Sequence, residues 1–180
     1  MVLTVKSLLT GLVGAAAVSA QCTGPPANDA TVSLIAEFED LDPSGYPTVG
    51  YGHLCADSSC SDVPYSIPLS EADGRSLLRS DMAVAQNCIT LDTGSNVVLN
   101  ANQYGAFVSW AFNVGCGNSG SSTLISRLNA GENPNTVAAE ELPKWKYSNG
   151  VELPGLVRRR NAEVDLAQTA TSAPALPACS

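Results

Sequence analysis

Apolar residues recur at helical spacing along most of the chain, and polar capping residues mark where each run begins. Asn28 is placed to cap a short helix running to about Glu39, with Val32, Leu34, Ile35 and Phe38 on its apolar side. Residues 42–54 break the pattern with Pro, Ser and Gly followed by a β-prone Thr-Val-Gly-Tyr, which predicts a tight turn feeding a short strand or ribbon. Ser70, with Asp73 three positions on, starts a second helix carrying Leu77, Leu78, Met82 and Ala85. Asn100 with Gln103 starts a third, the apolar segment Tyr104 to Val114. Ser121 or Ser122 caps a fourth through Leu128, which Gly131 ends, and Asn135 to Leu142 reads as a fifth, stopped by Pro143. Pro154 sits in the first turn of a last helix that reaches about Gln168, and the Thr/Ser/Ala/Pro tail beyond it reads as loosely ordered up to Cys179. One small β segment followed by helices predicts an α+β fold that is mainly α, with a β-ribbon subdomain at the N-terminal side.

The first twenty residues do not belong to that layout. Lys6 precedes an apolar, Gly/Ala-rich stretch from Leu8 to Val18, and Val18-Ser19-Ala20 offers the small residues of a signal-peptidase site. Residues 1–20 are therefore expected to be a signal peptide, and residues 21–180 a single secreted, extracellular domain. Secretion gives meaning to the six cysteines. In an oxidising compartment they are expected to form three disulfides. Cys55 and Cys60 close a small polar loop, Cys22 and Cys179 stand at the ends of the mature chain, and Cys88–Cys116 follows by elimination.

Charge narrows the choice of partner. Nine Lys and Arg against seventeen Asp and Glu give a net −8, which argues against general affinity for nucleic acid or anionic membrane. The deficit is uneven, because Lys144, Lys146, Arg158, Arg159 and Arg160 face only Glu152 within residues 144–160. Such a run reads first as a solvated helix face, and second as the lining of a groove for a ligand with anionic groups.

Few residues can carry chemistry. His53 has no Ser or Cys placed beside it as a triad partner, and with Cys55 and Cys60 it lacks a fourth metal ligand, so no metal and no cofactor are expected. A hydrogen-bonded structural role at the end of the ribbon suits His53 better. Glu37, Glu39, Asp40 and Asp42 cluster where the first helix meets the ribbon. Two carboxylates in unlike surroundings are what glycoside hydrolysis requires, one to give a proton and one to stay ionised. At 100° per residue Glu39 lies beside Val32, Ile35 and Ala36, at the edge of the apolar face, whereas Glu37 falls on the polar side with Ser33. Trp110, Phe107 and Phe112 at helical spacing read as core. Tyr51 and Tyr46 either stack on sugars or cover the ribbon, and Asn113 either binds an N-acetyl group or serves the end of its helix.

Phe38-Glu39, followed by Asp42-Pro-Ser-Gly-Tyr-Pro-Thr48-Val-Gly-Tyr-Gly-His53, resembles the phage-type lysozymes of glycoside hydrolase family 24 in their secreted fungal form. Leu99 to Gly115, Ser122 to Gly131, and Leu153-Pro-Gly-Leu-Val-Arg-Arg-Arg160 with Glu163 continue the resemblance in order over essentially the whole mature chain. It implies a lysozyme-like fold and cleavage of the β-1,4 link between N-acetylmuramic acid and N-acetylglucosamine in bacterial peptidoglycan. It further implies an antibacterial role for a monomer without a cofactor. On these positions Glu39 is the general acid, Asp42 with Thr48 positions and activates the attacking water, and the anomeric centre is inverted. Tyr51 and Asn113 are the candidate substrate contacts.

The chain departs from that pattern at one place. Asp42 follows Glu39 by three positions, and the segment is about six residues, or roughly 20 Å of strand, shorter than the family's. Asp40 also replaces a small residue. Three residues span at most about 10 Å, which still permits the ~6.5–9.5 Å between carboxyl groups of an inverting pair. The shortening is either a real deletion that impairs catalysis, leaving a peptidoglycan- or chitin-binding protein, or an error at an exon junction.

Overall fold

The computed structural model describes residues 23–44 and 46–178. The expected signal peptide and the Cys22–Cys179 pairing lie outside the described residues. Helix α1 (Asp29–Glu39) starts at Asn28, whose side chain accepts from the Thr31 amide, and it buries Val32, Leu34, Ile35 and Ala36. It ends at Asp40, whose φ of 49° and ψ of 143° lie in a region that glycine adopts and other residues rarely do. The small residue expected there from the resemblance is thus the one the backbone asks for. Asp40→Gly is expected to raise stability by about 1–2 kcal/mol, read as a higher urea midpoint at unchanged slope.

Strand β1 (Thr48–Val49) pairs antiparallel with β2 (His53–Leu54), and an isolated bridge joins Asp42 to Gly50. The ribbon is therefore present in a reduced form, two residues per strand. It packs through Val49, Cys55, Cys60, Val63 and Leu69 against Leu77, forming a small apolar cluster of its own. The 22-residue helix α2 (Glu71–Asp92) begins at Ser70 with Asp73 as expected, and connects this lobe to the main one.

The main core forms around α3 (Ala101–Val114), which follows the short strand β3 (Leu99–Asn100) and opens on a complete capping box between Asn100 and Gln103. Tyr104, Phe107 and Trp110 are fully buried, against Ile35 of α1 and Leu78, Met82 and Ile89 of α2. Each such side chain contributes about 1.5–3 kcal/mol from removal of apolar surface from water. At Gly105 a β-carbon would stand 1.8 Å from Thr31 Oγ1, so glycine is what lets α1 and α3 approach. The aromatic residues Trp110 and Phe107 are thus core, and Trp110 meets Trp145 edge-on at 5.3 Å.

Helices α4 (Cys116–Gly120), α5 (Thr123–Asn129, capped by Ser122) and α6 (Pro134–Glu141) follow. Helix α6 starts one position earlier than the expected Asn135, with Asn133 as its cap, because Pro134 supplies the preset φ of a first helical residue. A 3-10 turn (Leu142–Lys144) and a hairpin of β4 (Tyr147–Ser148) with β5 (Val151–Glu152) lead into α7 (Pro154–Gln168), which lies along α3. The tail is more ordered than its composition suggests, since β6 (Pro174–Leu176) pairs with β3 and buries Leu176. Disulfides join Cys55 to Cys60 and Cys88 to Cys116, the second tying α2 to α4 across 28 positions. No helix among the described residues is long and apolar enough to cross a membrane.

Candidate active site

Glu39 occupies the last turn of α1, where that helix delivers its side chain to the seam between the ribbon lobe and the helical lobe. The position follows from its angular place at the edge of the apolar face: the carboxyl is 25% exposed, whereas Glu37 stands in solvent. Glu39 Oε1 accepts from Arg159 Nη1 at 2.5 Å. Oε2 faces the β1–β2 turn, 3.8 Å from where a β-carbon on Gly52 would lie. That turn is built from Gly50 and Gly52, with φ of 67° and 86°.

Asp42 is held to the same hairpin by paired backbone bonds, its amide donating to Gly50 O at 2.8 Å and its carbonyl accepting from Gly50 N at 2.6 Å. Thr48 is two positions from Gly50 on β1. Asp42 is exposed and its Oδ1 accepts from the Ser44 amide at 3.1 Å, while Thr48 is half-buried. One water-exposed carboxylate and one half-buried carboxyl therefore border one hairpin.

The other expected contacts divide. Tyr51 is 5% exposed, because Gly74 of α2 leaves a hole into which its ring packs, so it offers no face to a sugar. This corrects its assignment as a substrate contact. Tyr46 is exposed. Asn113 stands exposed near the end of α3, its Oδ1 accepting from Arg160 Nη2 at 3.1 Å. His53 places Nδ1 and Nε2 each 2.9 Å from a carboxylate, of Asp81 on α2 and of Asp62 just after the Cys55–Cys60 loop. Burial alone would lower its pKa, but the hydrogen bonds to Asp81 and Asp62 outweigh that and hold it above the ordinary value. A raised folded pKa adds stability that is complete below the unfolded value of about 6.5 and is lost as pH climbs through the folded value. His53→Asn is accordingly expected to lower the melting temperature most in acid and least above the raised pKa, measured by thermal unfolding across pH.

The basic stretch is not a uniform solvated face. Lys144 pairs with Glu141 and Lys146 with Glu152 at the surface, but Arg159 and Arg160 are buried in α7. Reading charge by composition missed them, along with Glu163 and Ser109. Glu163 is 0% exposed, 2.8 Å from Arg160 Nε through Oε2 and 2.9 Å from Arg160 Nη2 through Oε1. Its Oε1 also accepts from Ser109 Oγ at 2.8 Å and lies 3.4 Å from Arg159 Nε. The available signal was the spacing, an acid three and four positions after two arginines on one helix, opposite a lone serine in the apolar run of α3. Among the described residues no group of His, Cys, Asp and Glu is arranged to hold a metal ion.

Comparison with known proteins gives this geometry a context. A family model for phage lysozyme matches residues 37–163. An endolysin of Bacillus phage B103 is 37% identical over 153 residues, 81% of this chain, and the chain spans only 55% of that relative's length. The muramidase domain of SpmX from Asticaccaulis excentricus superposes with a TM-score of 0.65 at 29% identity, covering 79% of this chain and 97% of that one. A mutant P22 lysozyme, with a TM-score of 0.67 at 24% identity over 81% of this chain and 99% of its own, shares the fold.

Proposed function

The chain belongs to the phage lysozyme family, and from that membership we propose that it is a secreted lysozyme that hydrolyses bacterial peptidoglycan. The observation that supports the reading is the half-buried Glu39, its Oε2 turned to the β1–β2 turn at Gly52, beside the hairpin to which Asp42 is bridged and on which Thr48 lies. Glu39 gives its proton to the glycosidic oxygen between N-acetylmuramic acid and N-acetylglucosamine. Asp42, with Thr48, orients a water on the opposite face of the sugar and takes its proton, so the β link yields an α-anomer. Asn113, at the end of α3, supplies an amide to the substrate's N-acetyl group. The subclass is the secreted fungal form of glycoside hydrolase family 24, supported by the leader-like first twenty residues and by Cys55–Cys60 and Cys88–Cys116. The partner is the bacterial wall, met by a monomer without nucleic acid or membrane.

The test is clearing of bacterial cell walls by the purified protein, with the anomer of the fresh product read by proton NMR. Clearing with α-anomer released first is expected. No clearing would overturn the enzymatic reading, and β-anomer would overturn inversion. A second reading rests on the three-residue step from Glu39 to Asp42: a groove that binds peptidoglycan or chitin without cutting it. Retention on insoluble peptidoglycan without clearing is its signature.

A further inference from the structure

We propose that Glu163, outside the cleft, is a positioning residue for the hydrolysis: it locks Arg159 against the general acid Glu39 and Arg160 against Asn113. The proposal rests on the lysozyme reading above. Each arginine is a bridge with one end in the core and one at the cleft. Arg159 has Nε 3.4 Å from Glu163 and Nη1 2.5 Å from Glu39, with its guanidinium 5.9 Å over the Phe38 ring. Arg160 Nη2 donates to Glu163 Oε1 at 2.9 Å and to Asn113 Oδ1 at 3.1 Å. Neighbouring residues on a helix point about 100° apart, so a single acid one turn later can hold both while they reach to different elements. Ser109 Oγ fixes that acid from α3, and the Ser109 carbonyl lies 3.4 Å from Arg159 Nη2. The result is a buried cluster in which one carboxylate, set against two guanidiniums, acts through them on two cleft side chains on two elements.

The charges around this cluster are these. On α7 they are Arg158, Arg159, Arg160, Glu163 and Asp165, and on α1 and its end Asp29, Glu37, Glu39, Asp40 and Asp42. Helix α3 carries no acid or base besides Tyr104, which is hydrogen-bonded to Pro25 O and Gln86 O. On α6 and the turn after it, Glu140, Glu141 and Lys144 pair with Arg127 or each other. Burial leaves the Glu163 pKa raised, against the opposing pull of Arg160, Arg159 and Ser109, and the two guanidiniums within 3.4 Å are what favour its charged form. Its negative charge offsets one of the two arginine charges felt by Glu39. Without it, both guanidinium charges act on the general acid uncompensated.

The experiment is steady-state cleavage of a soluble peptidoglycan fragment, from acid to alkaline pH, by wild type, Glu163→Gln and Glu163→Asp. For Glu163→Gln the basic limb of kcat/KM should move down by about one pH unit, with kcat at neutral pH about tenfold lower and KM raised through Asn113. Glu163→Asp keeps the charge and so should keep the limb where wild type has it, while kcat falls because the shorter acid lets the arginines retract. A merely structural Glu163 would lower melting temperature in both variants and move the limb in neither. An unmoved limb in a folded Glu163→Gln overturns the proposal while leaving the lysozyme reading intact. Inactive wild type overturns both. If Glu163→Gln does not fold, Glu163→Asp decides alone, and a wild-type kcat in that variant overturns the proposal.

Discussion

Glu39→Gln is expected to lower cell-wall clearing by about 10²–10⁴-fold while the protein stays folded. The substitution keeps the shape of the side chain and removes its ionisable proton, the one the proposed mechanism delivers to the glycosidic oxygen. Arg159 loses a charged partner at 2.5 Å but keeps Glu163 and the Ser109 carbonyl around its guanidinium. Loss of that charge-assisted bond costs about 1.5–3 kcal/mol, short of a typical ~5–15 kcal/mol of total stability. Glu37→Gln is the control, because two positions earlier on α1 the side chain stands in solvent. The assay is turbidity of a wall suspension for both variants beside wild type, with melting temperatures recorded on the same preparations. Equal clearing by Glu39→Gln and wild type would remove Glu39 from the chemistry. Equal loss in the Glu37 variant would show that the helix end, not one carboxyl, is being read.

Helix starts were legible because capping is local chemistry: Asn28, Ser70, Asn100 and Ser122 each accept from an amide two or three residues on. The placing of Glu39 over Glu37 was legible for a similar reason, since helical angle alone separates them. What escaped depends on distant partners. Pairing of β6 with β3 joins residues more than seventy positions apart and leaves only a polar tail to read. The hairpin of β4 and β5 did carry a signal, Asn149-Gly150, whose φ values of 50° and 78° are those of a tight hairpin turn. Tyr51 looked accessible between two glycines, yet a third glycine, Gly74 on α2, opens the hole that takes its ring. Arg159 and Arg160 looked like surface charge because nothing within α7 shows that Ser109 and Glu39 close over them. Composition reports how many charges a segment has, and only tertiary packing decides which of them lose water.

Arg160→Met is expected to destabilise the protein by about 3–5 kcal/mol, the largest stability loss foreseen here for one side chain. The arginine is 1% exposed, and removing it leaves the fully buried Glu163 with Ser109 and the more distant Arg159 alone. An uncompensated buried charge is costly because water no longer solvates it and the interior replaces little of that solvation. At about 2–4 °C per kcal/mol for a chain of this size the melting temperature should fall by roughly 10 °C. Pairing the change with Glu163→Leu removes both charges together, and replacing a buried ion pair by apolar groups of similar volume is often neutral or stabilising. The double variant should therefore recover most of the lost stability in urea unfolding. A single variant losing less than about 1 kcal/mol, or a double that recovers nothing, would mean that the cluster is not energetically closed in this way. Recovery of stability without recovery of wall clearing is the informative combination. It would show that the fold tolerates an apolar replacement at this point and that the charges are kept for the two cleft side chains they hold. Arg159 would then face Glu39 without a counter-charge behind it, and Asn113 would lose the guanidinium that fixes its amide.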